Sequence, residues 1–312
     1  MRIFLAGATG AIGTPLVPRL VGAGHDVTAT TRSPRKADAL RAAGAEPVVL
    51  DALDRVAVVA AVTAARPDVI VHQLTALSDM RDLRDFDRAF AMTNRLRTEG
   101  LDHLLAGARA AGGTARLVAQ SYAGWPCART GGPVKTEDDP LDPTPVPSMS
   151  ETHAAIRRLE TAVSEAEGIA LRYGGLYGPG SGIAPGGEQV ELVRKRRFPI
   201  VGDGAGVWSF LHTHDAAAAT LAAVERGAPG VYNVVDDDPA PARVWLPVLA
   251  AAAGAKPPRR VPRWLGRLAA GEAVVTLMTE IRGASNAKAK RELGWTPARP
   301  SWREGFREVL SA

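Results

Sequence analysis

From Met1 to Arg172 the chain alternates short apolar runs with stretches that place an apolar residue every third or fourth position. Ile3-Phe4-Leu5-Ala6 is apolar throughout and stops at glycine, the pattern of a strand buried on both faces. Ile12, Leu16 and Leu20 then recur at helical spacing. Pro15 suits a first helical turn, whereas Pro18 predicts a kink or a late start. Gly22 and Gly24 close that helix, and Asp26 to Thr30 reads as the next strand. The rhythm continues as helix Lys36 to Ala43, strand Pro47 to Leu50, helix Arg55 to Ala65 and strand Val69 to Val71. A long helix from Arg88 to Ala111, strand Leu117 to Ala119, helix Glu151 to Glu167 and strand Ala170 to Arg172 complete it.

Such alternation with short joints predicts the α/β class: a Rossmann-like, doubly wound parallel sheet with right-handed crossovers. Beyond Arg172 the rhythm breaks. Gly174 to Gly187 is rich in Gly and Pro, which marks loops. Val207 to Leu211 and Val231 to Val235 read as strands on either side of an Ala-rich helix, Asp215 to Arg226. Trp245 to Ala312 is mainly helical. The expected division is a dinucleotide-binding domain over 1–172, rejoined by 207–235, and a smaller, mainly helical substrate-binding lid over 173–206 and 236–312.

Composition narrows this picture. Aromatic residues make up 5% of 312 positions, so the core must come mainly from Ala, Val, Leu and Ile. Cys127 is the only cysteine, which forbids an intrachain disulfide and fits a reducing, cytoplasmic setting. The most apolar stretch, Val56 to Leu77, is broken by Arg66, Pro67 and Asp68, so no membrane span is expected. The first apolar run passes straight into glycines, as a first strand does and a leader peptide does not. Net charge is +5, from 38 basic and 33 acidic residues spread along the chain. A diffuse charge gives no reason to expect nucleic acid or a membrane as partner. The partner is expected to be a small molecule, and the pattern holds no ligand cluster for a metal.

Gly7-Ala-Thr-Gly10-Ala-Ile-Gly13 stands between the first strand and the first helix, where such a motif binds a dinucleotide. Gly7 permits the tight turn, Gly10 lets a pyrophosphate approach, and Gly13 lets helix and strand pack closely. Thr9, Ala11 and Ile12 complete the loop, whose phosphates would sit at a helix N-terminus. An NAD site usually carries an acidic residue at the end of the second strand. This chain has Thr31-Arg32-Ser33, with Arg35 close behind. Arg32 offers a planar fork of donors to a 2′-phosphate, so NADP(H) is the expected cofactor.

With these motifs the chain resembles the extended short-chain dehydrogenase/reductases, the NAD-dependent epimerase/dehydratase family, over nearly its whole length. The resemblance implies that Asp51 and Ala52 meet the adenine and that Gln73, Leu74 and Thr75 lie beneath the cofactor. Asn94 stands where the family's helix has its asparagine, and Tyr173, Gly174 and Leu176 fall in the stretch that touches the nicotinamide. Ser209 to Asp215 and Glu292 to Pro297 match later landmarks, in which His212 and His214 are expected to be structural.

The catalytic positions depart from that pattern. The family pairs Ser or Thr with Tyr-x-x-x-Lys. Ser121 aligns with the Ser, but Met149 occupies the Tyr position and His153 the Lys position. Met149 has no transferable proton, while His153 can still hydrogen-bond a ribose. Tyr122 and Thr75 are the other candidates for a substrate contact, and Cys127 has no paired base to make it a nucleophile. Trp125, the loop Gly178 to Gly187, Arg194 to Arg197 and Trp208 are expected to form the substrate side.

Atypical family members of this kind occur among the tailoring reductases of antibiotic biosynthesis. The expected activity is NADPH-dependent reduction of a ketone on a flat aromatic, polyketide-like substrate. It would proceed without the Tyr/Lys relay, a hydroxyl of the substrate assisting. A nucleotide-sugar epimerase or dehydratase, and a catalytically silent NADP(H)-binding sensor, are the alternatives.

Overall fold

Strands that are apolar on both faces must be covered on both, and the structure meets that need with helices. The computed structural model describes residues 1–77, 84–113 and 115–311. Its central sheet has seven strands in the order Gly230–Val234, Ile169–Tyr173, β5 (Arg116–Tyr122), β4 (Val69–His72), β1 (Arg2–Ala6), β2 (Asp26–Thr31) and β3 (Glu46–Val49). Every neighbouring pair in it is parallel. Ile3 stands opposite Val27 on one side and Val69 on the other. Chain order reverses between β1 and β4, so the crevice beyond their carboxyl ends is the switch point where such sheets bind ligands.

On one face Leu16 and Leu20 of α1 (Gly13–Gly22) pack with Ala216 and Ala223 of helix Thr213–Arg226. On the other, Val62 of α3 (Arg55–Ala65), Leu104 of α5 (Leu101–Ala110) and Leu159 of α6 (Ser150–Glu165) close over Phe4 and Ile70. Between them, α2 (Ala37–Ala42) follows β2, and α4 (Phe86–Arg95) precedes α5.

Three expectations need correction. Pro18 neither delays nor ends α1: the helix runs through it, with Pro18 on the exposed face. The long helix begins at Phe86, earlier than Arg88, and carries a π turn over Leu96–Gly100. The run Val207 to Leu211 is two short strands. Val207–Trp208 pairs with Ala240–Pro241, and Phe210–His212 pairs in parallel with Gly175–Tyr177.

A second core gathers Tyr177, Ile183, Phe210, Trp245, Trp302 and Phe306. Gly305 is required there, because a Cβ would fall 2.3 Å from the Tyr177 hydroxyl oxygen. Among the described residues no helix is long and apolar enough to cross a membrane.

Candidate active site

The glycine loop is shaped by contacts that exclude side chains. Gly7 has φ +95°, and a Cβ there would fall 2.7 Å from the Gln73 carbonyl oxygen. At Gly13 it would fall 2.2 Å from the Gly7 carbonyl oxygen, while at Gly10 nothing comes nearer than 3.5 Å. The turn and the helix–strand contact therefore need Gly7 and Gly13, and the face over Gly10 is left open to an approaching group. Gly7 N donates to Thr30 Oγ1 at 3.2 Å, and Thr9 Oγ1 lies 3.4 Å from Thr31 Oγ1, tying the loop to the end of β2. This cradle at the start of α1 fits a pyrophosphate. Gly180 rests against it: its Cβ would lie 3.2 Å from Ala11 Cα.

Arg32 and Arg35 are exposed just past β2, beside the turn in which Ser33 N donates to Thr31 Oγ1. Asp51 is exposed beyond β3 and accepts from Leu53 N, while Ala52 is buried. Leu74 and Thr75 are half-buried beyond β4. Asn94 Nδ2 donates to Thr152 Oγ1 at 3.0 Å, and its Oδ1 is buried without a partner. Asp87 accepts from the backbone N–H groups of Glu151 and Thr152 and so fixes the start of α6.

Met149 immediately precedes α6 and is 2% exposed. It joins a cluster with Phe86, Phe90, Tyr122, Trp125 and Trp208. His153 stands one turn into α6, 5.4 Å from the Trp125 ring, with Nδ1 buried and unpartnered. Burial pushes its pKa from 6.5 to about 4, against the opposing pull of Asp142. At neutral pH the imidazole is thus uncharged and is a poor source of protons. Trp125 and Trp208, both expected on the substrate side, do meet in this cluster. Of the run Arg194 to Arg197, Arg194 and Lys195 instead pair with Glu191 on the surface.

Ser121 does not face that cluster. Its hydroxyl is fully buried and donates to Glu160 Oε1 at 2.6 Å, while Arg172 binds the same carboxylate through Nε and Nη2. The hydroxyl expected to meet a substrate carbonyl is thereby committed to a buried ion pair. Tyr173 is likewise engaged. Gln73 Nε2 donates to its hydroxyl at 2.9 Å, Thr220 Oγ1 lies 2.6 Å away, and burial raises its pKa to about 12. Gly174 is needed for packing, since a Cβ would fall 2.8 Å from the Ser209 carbonyl oxygen, and Leu176 is half-buried beside it. His212 accepts from His214 N and packs its ring edge on Tyr177, 5.2 Å away. Burial raises the pKa of the Cys127 thiol. Among the described residues no group of His, Cys, Asp and Glu is placed to hold a metal.

One residue the sequence reading passed over is Arg97, in the π turn. Its guanidinium carbon lies 4.3 Å from the centre of the Tyr122 ring. The residue is 1% exposed, and neither Nη1 nor Nη2 has a hydrogen-bond partner among the described residues. In a chain with so many arginines, nothing in the local pattern singles it out.

The chain belongs to the NAD-dependent epimerase/dehydratase family, whose model matches residues 3–234, and with its reductase relatives this makes it an NAD(P)-dependent oxidoreductase of the Rossmann type. It is 50% identical to a 3-diazoavenalumate denitrifying reductase from a Streptomyces species, over 98% of this chain and 99% of that one. It is 26% identical to a 4-hydroxy-2-methyl-3-oxo-4-farnesyl-3,4-dihydroquinoline-1-oxide ketoreductase from Stigmatella aurantiaca, over 82% of this chain and 74% of the other. Among solved structures, the Thermus thermophilus UDP-glucose 4-epimerase in complex with NAD has a similar fold. The match has a TM-score of 0.74 at 24% identity and covers 100% of this chain and 98% of that one.

Proposed function

We propose that this protein is an NADPH-dependent reductase whose hydride acceptor is an aromatic diazo compound, reduced with loss of dinitrogen. The observation that carries the reading is the pair Met149 and His153. One has no proton to give, and the other is held neutral by burial. Ketone reduction builds negative charge on oxygen, and a positioned acid there is worth ~10²–10⁴-fold. An aryl diazonium group makes no such demand, because it already carries positive charge. A bound nicotinamide supplies the hydride. The terminal nitrogen of Ar–N₂⁺ accepts it to give Ar–N=NH. That diazene releases N₂ as its hydrogen passes to the ring carbon, leaving Ar–H. The relative at 50% identity, named for a denitrifying reduction of a diazo compound, supports the same chemistry.

Gly7, Gly10 and Gly13, with Thr9, Ala11 and Ile12, would hold the pyrophosphate. Arg32 and Arg35 would hold the 2′-phosphate, and Asp51, Ala52, Leu74 and Asn94 would line the remainder. His153 would meet the ribose as a neutral hydrogen-bonding group. Met149, Tyr122, Trp125 and Trp208 would seat a flat substrate and exclude water. Tyr173 would act through packing, keeping Gln73 in place.

The test supplies a ¹⁵N₂-labelled aryl diazonium salt with NADPH and follows labelled gas by mass spectrometry. Enzyme-dependent release, with one NADPH consumed per dinitrogen, is the expected result; its absence rejects the reading. NADH should serve about ten- to a hundredfold less well, the difference disappearing in Arg32→Ala. Ketone reduction is the second reading, favoured by the Stigmatella relative. It requires turnover of an ortho-hydroxyaryl ketone and a large loss with its O-methyl ether.

A further inference from the structure

Arg97 is buried, yet no acidic side chain among the described residues forms an ion pair with it. Arg172, the other described arginine buried to a comparable degree, has Glu160 against two of its nitrogens. Both terminal nitrogens of Arg97 are enclosed and unpartnered among the described residues. A desolvated guanidinium in that state is costly, and an anionic oxygen is the group that offsets the cost best.

We propose that Arg97 is a substrate-binding residue. Its fork takes an anionic oxygen, carboxylate or phenolate, of a flat aromatic ligand seated on the Tyr122–Trp125 wall. Position favours the substrate over the cofactor. Arg97 stacks on Tyr122, which lies 5.2 Å from Trp125 and in one cluster with Met149. Ala8 and Ile12 of the glycine loop belong to a different core. Tyr122 covers the guanidinium, and its hydroxyl is also buried without a partner. Contacts with Arg97, Phe90 and Trp125 are what hold the ring in place. A ligand oxygen reaching the fork would have to displace that ring, whose hydroxyl would be a further donor. A planar fork binds a carboxylate through two parallel hydrogen bonds, which a lysine at this position would not. The π turn, a local widening common at functional sites, is where this side chain leaves the helix.

The proposal shares with the preceding reading only the location of the substrate pocket. Its test needs no turnover, so the two fail separately. Calorimetric titrations in saturating NADP⁺ would compare 6-hydroxy-2-naphthoate with its methyl ester and with 6-methoxy-2-naphthoate. The wild type should bind the hydroxynaphthoate about ten- to a hundredfold tighter than the analogue lacking the recognised oxygen. Loss with the ester identifies a carboxylate, and loss with the ether a phenolate. Arg97→Met should abolish the preference while leaving NADP⁺ affinity within about threefold, and Arg97→Lys should restore part of it. Equal affinities in the wild type overturn the proposal, as does a preference that survives Arg97→Met. So does an equal loss of NADP⁺ affinity, which would assign the cation to the cofactor. If Arg97→Met does not fold, Arg97→Lys decides, and an undiminished preference in it overturns the proposal.

Discussion

At the end of β5 the Ser121 hydroxyl lies 2.6 Å from Glu160, whose carboxylate also receives two bonds from Arg172. A hydroxyl spent in this way supports the strand–helix joint. Ser121→Ala should cost ~1–3 kcal/mol in denaturant unfolding, since a hydrogen bond to a charged group is lost. Turnover should change by less than about tenfold, well below the ~10²–10³-fold lost with a donor that meets a developing oxyanion. His153 yields a prediction of a different kind. Its pKa falls from 6.5 to about 4 on folding, through burial. Between those values the unfolded chain binds the extra proton, so stability rises with pH across the window and is lost as pH falls through it. His153→Gln removes that dependence. Its melting temperature should decline less steeply between pH 6.5 and pH 4 than the wild type's. Parallel slopes would mean that His153 titrates normally. The sequence reads Met149 and His153 as near neighbours because their spacing is local, and the structure has Met149 just before α6 and His153 in its first turn. The sequence misjudged Ser121, because Glu160 and Arg172 reach it only through the tertiary fold.

The elements themselves were legible where hydrophobic periodicity dominates. Helix Arg55–Ala65 matches its expected limits at both ends, helped by Asp54, whose side chain accepts from Ala57 N. Pro18 misled because a proline on the exposed face of α1 removes one hydrogen bond and leaves the buried Leu16 and Leu20 in place. The π turn at Leu96–Gly100 carries no apolar signature, since one extra residue per turn looks like ordinary helical drift in sequence. Small residues at element contacts are equally silent. Gly305 lets helix Trp302–Ser311 rest against the Tyr177 ring, where a Cβ would fall 2.4 Å from one of its edge carbons. Gly305→Ala should therefore destabilise the protein by ~1–3 kcal/mol, as overpacking does in close-packed cores. Chemical denaturation would measure it, and an unchanged midpoint would show that the helix can shift aside freely.

For the whole molecule, alternation of strand and helix was enough to foresee the parallel sheet, while the strand order that sets its switch point came only from the structure. The way the C-terminal half folds back was harder to read. Phe210–His212 pairs with Gly175–Tyr177 outside the central sheet, whereas Gly230–Val234 joins the central sheet at its edge. Two-residue strands such as Val207–Trp208 are too short for a period to appear. One consequence of this arrangement concerns time. The Gly178–Gly187 loop reaches back until Gly180 touches Ala11, directly over the phosphate cradle. A dinucleotide held in that cradle would lie against this segment and would be expected to enter and leave past it. Catalysis would then run in a compulsory order, with nucleotide first to arrive and last to go. In steady-state kinetics, added NADP⁺ would compete with NADPH and not with the organic substrate.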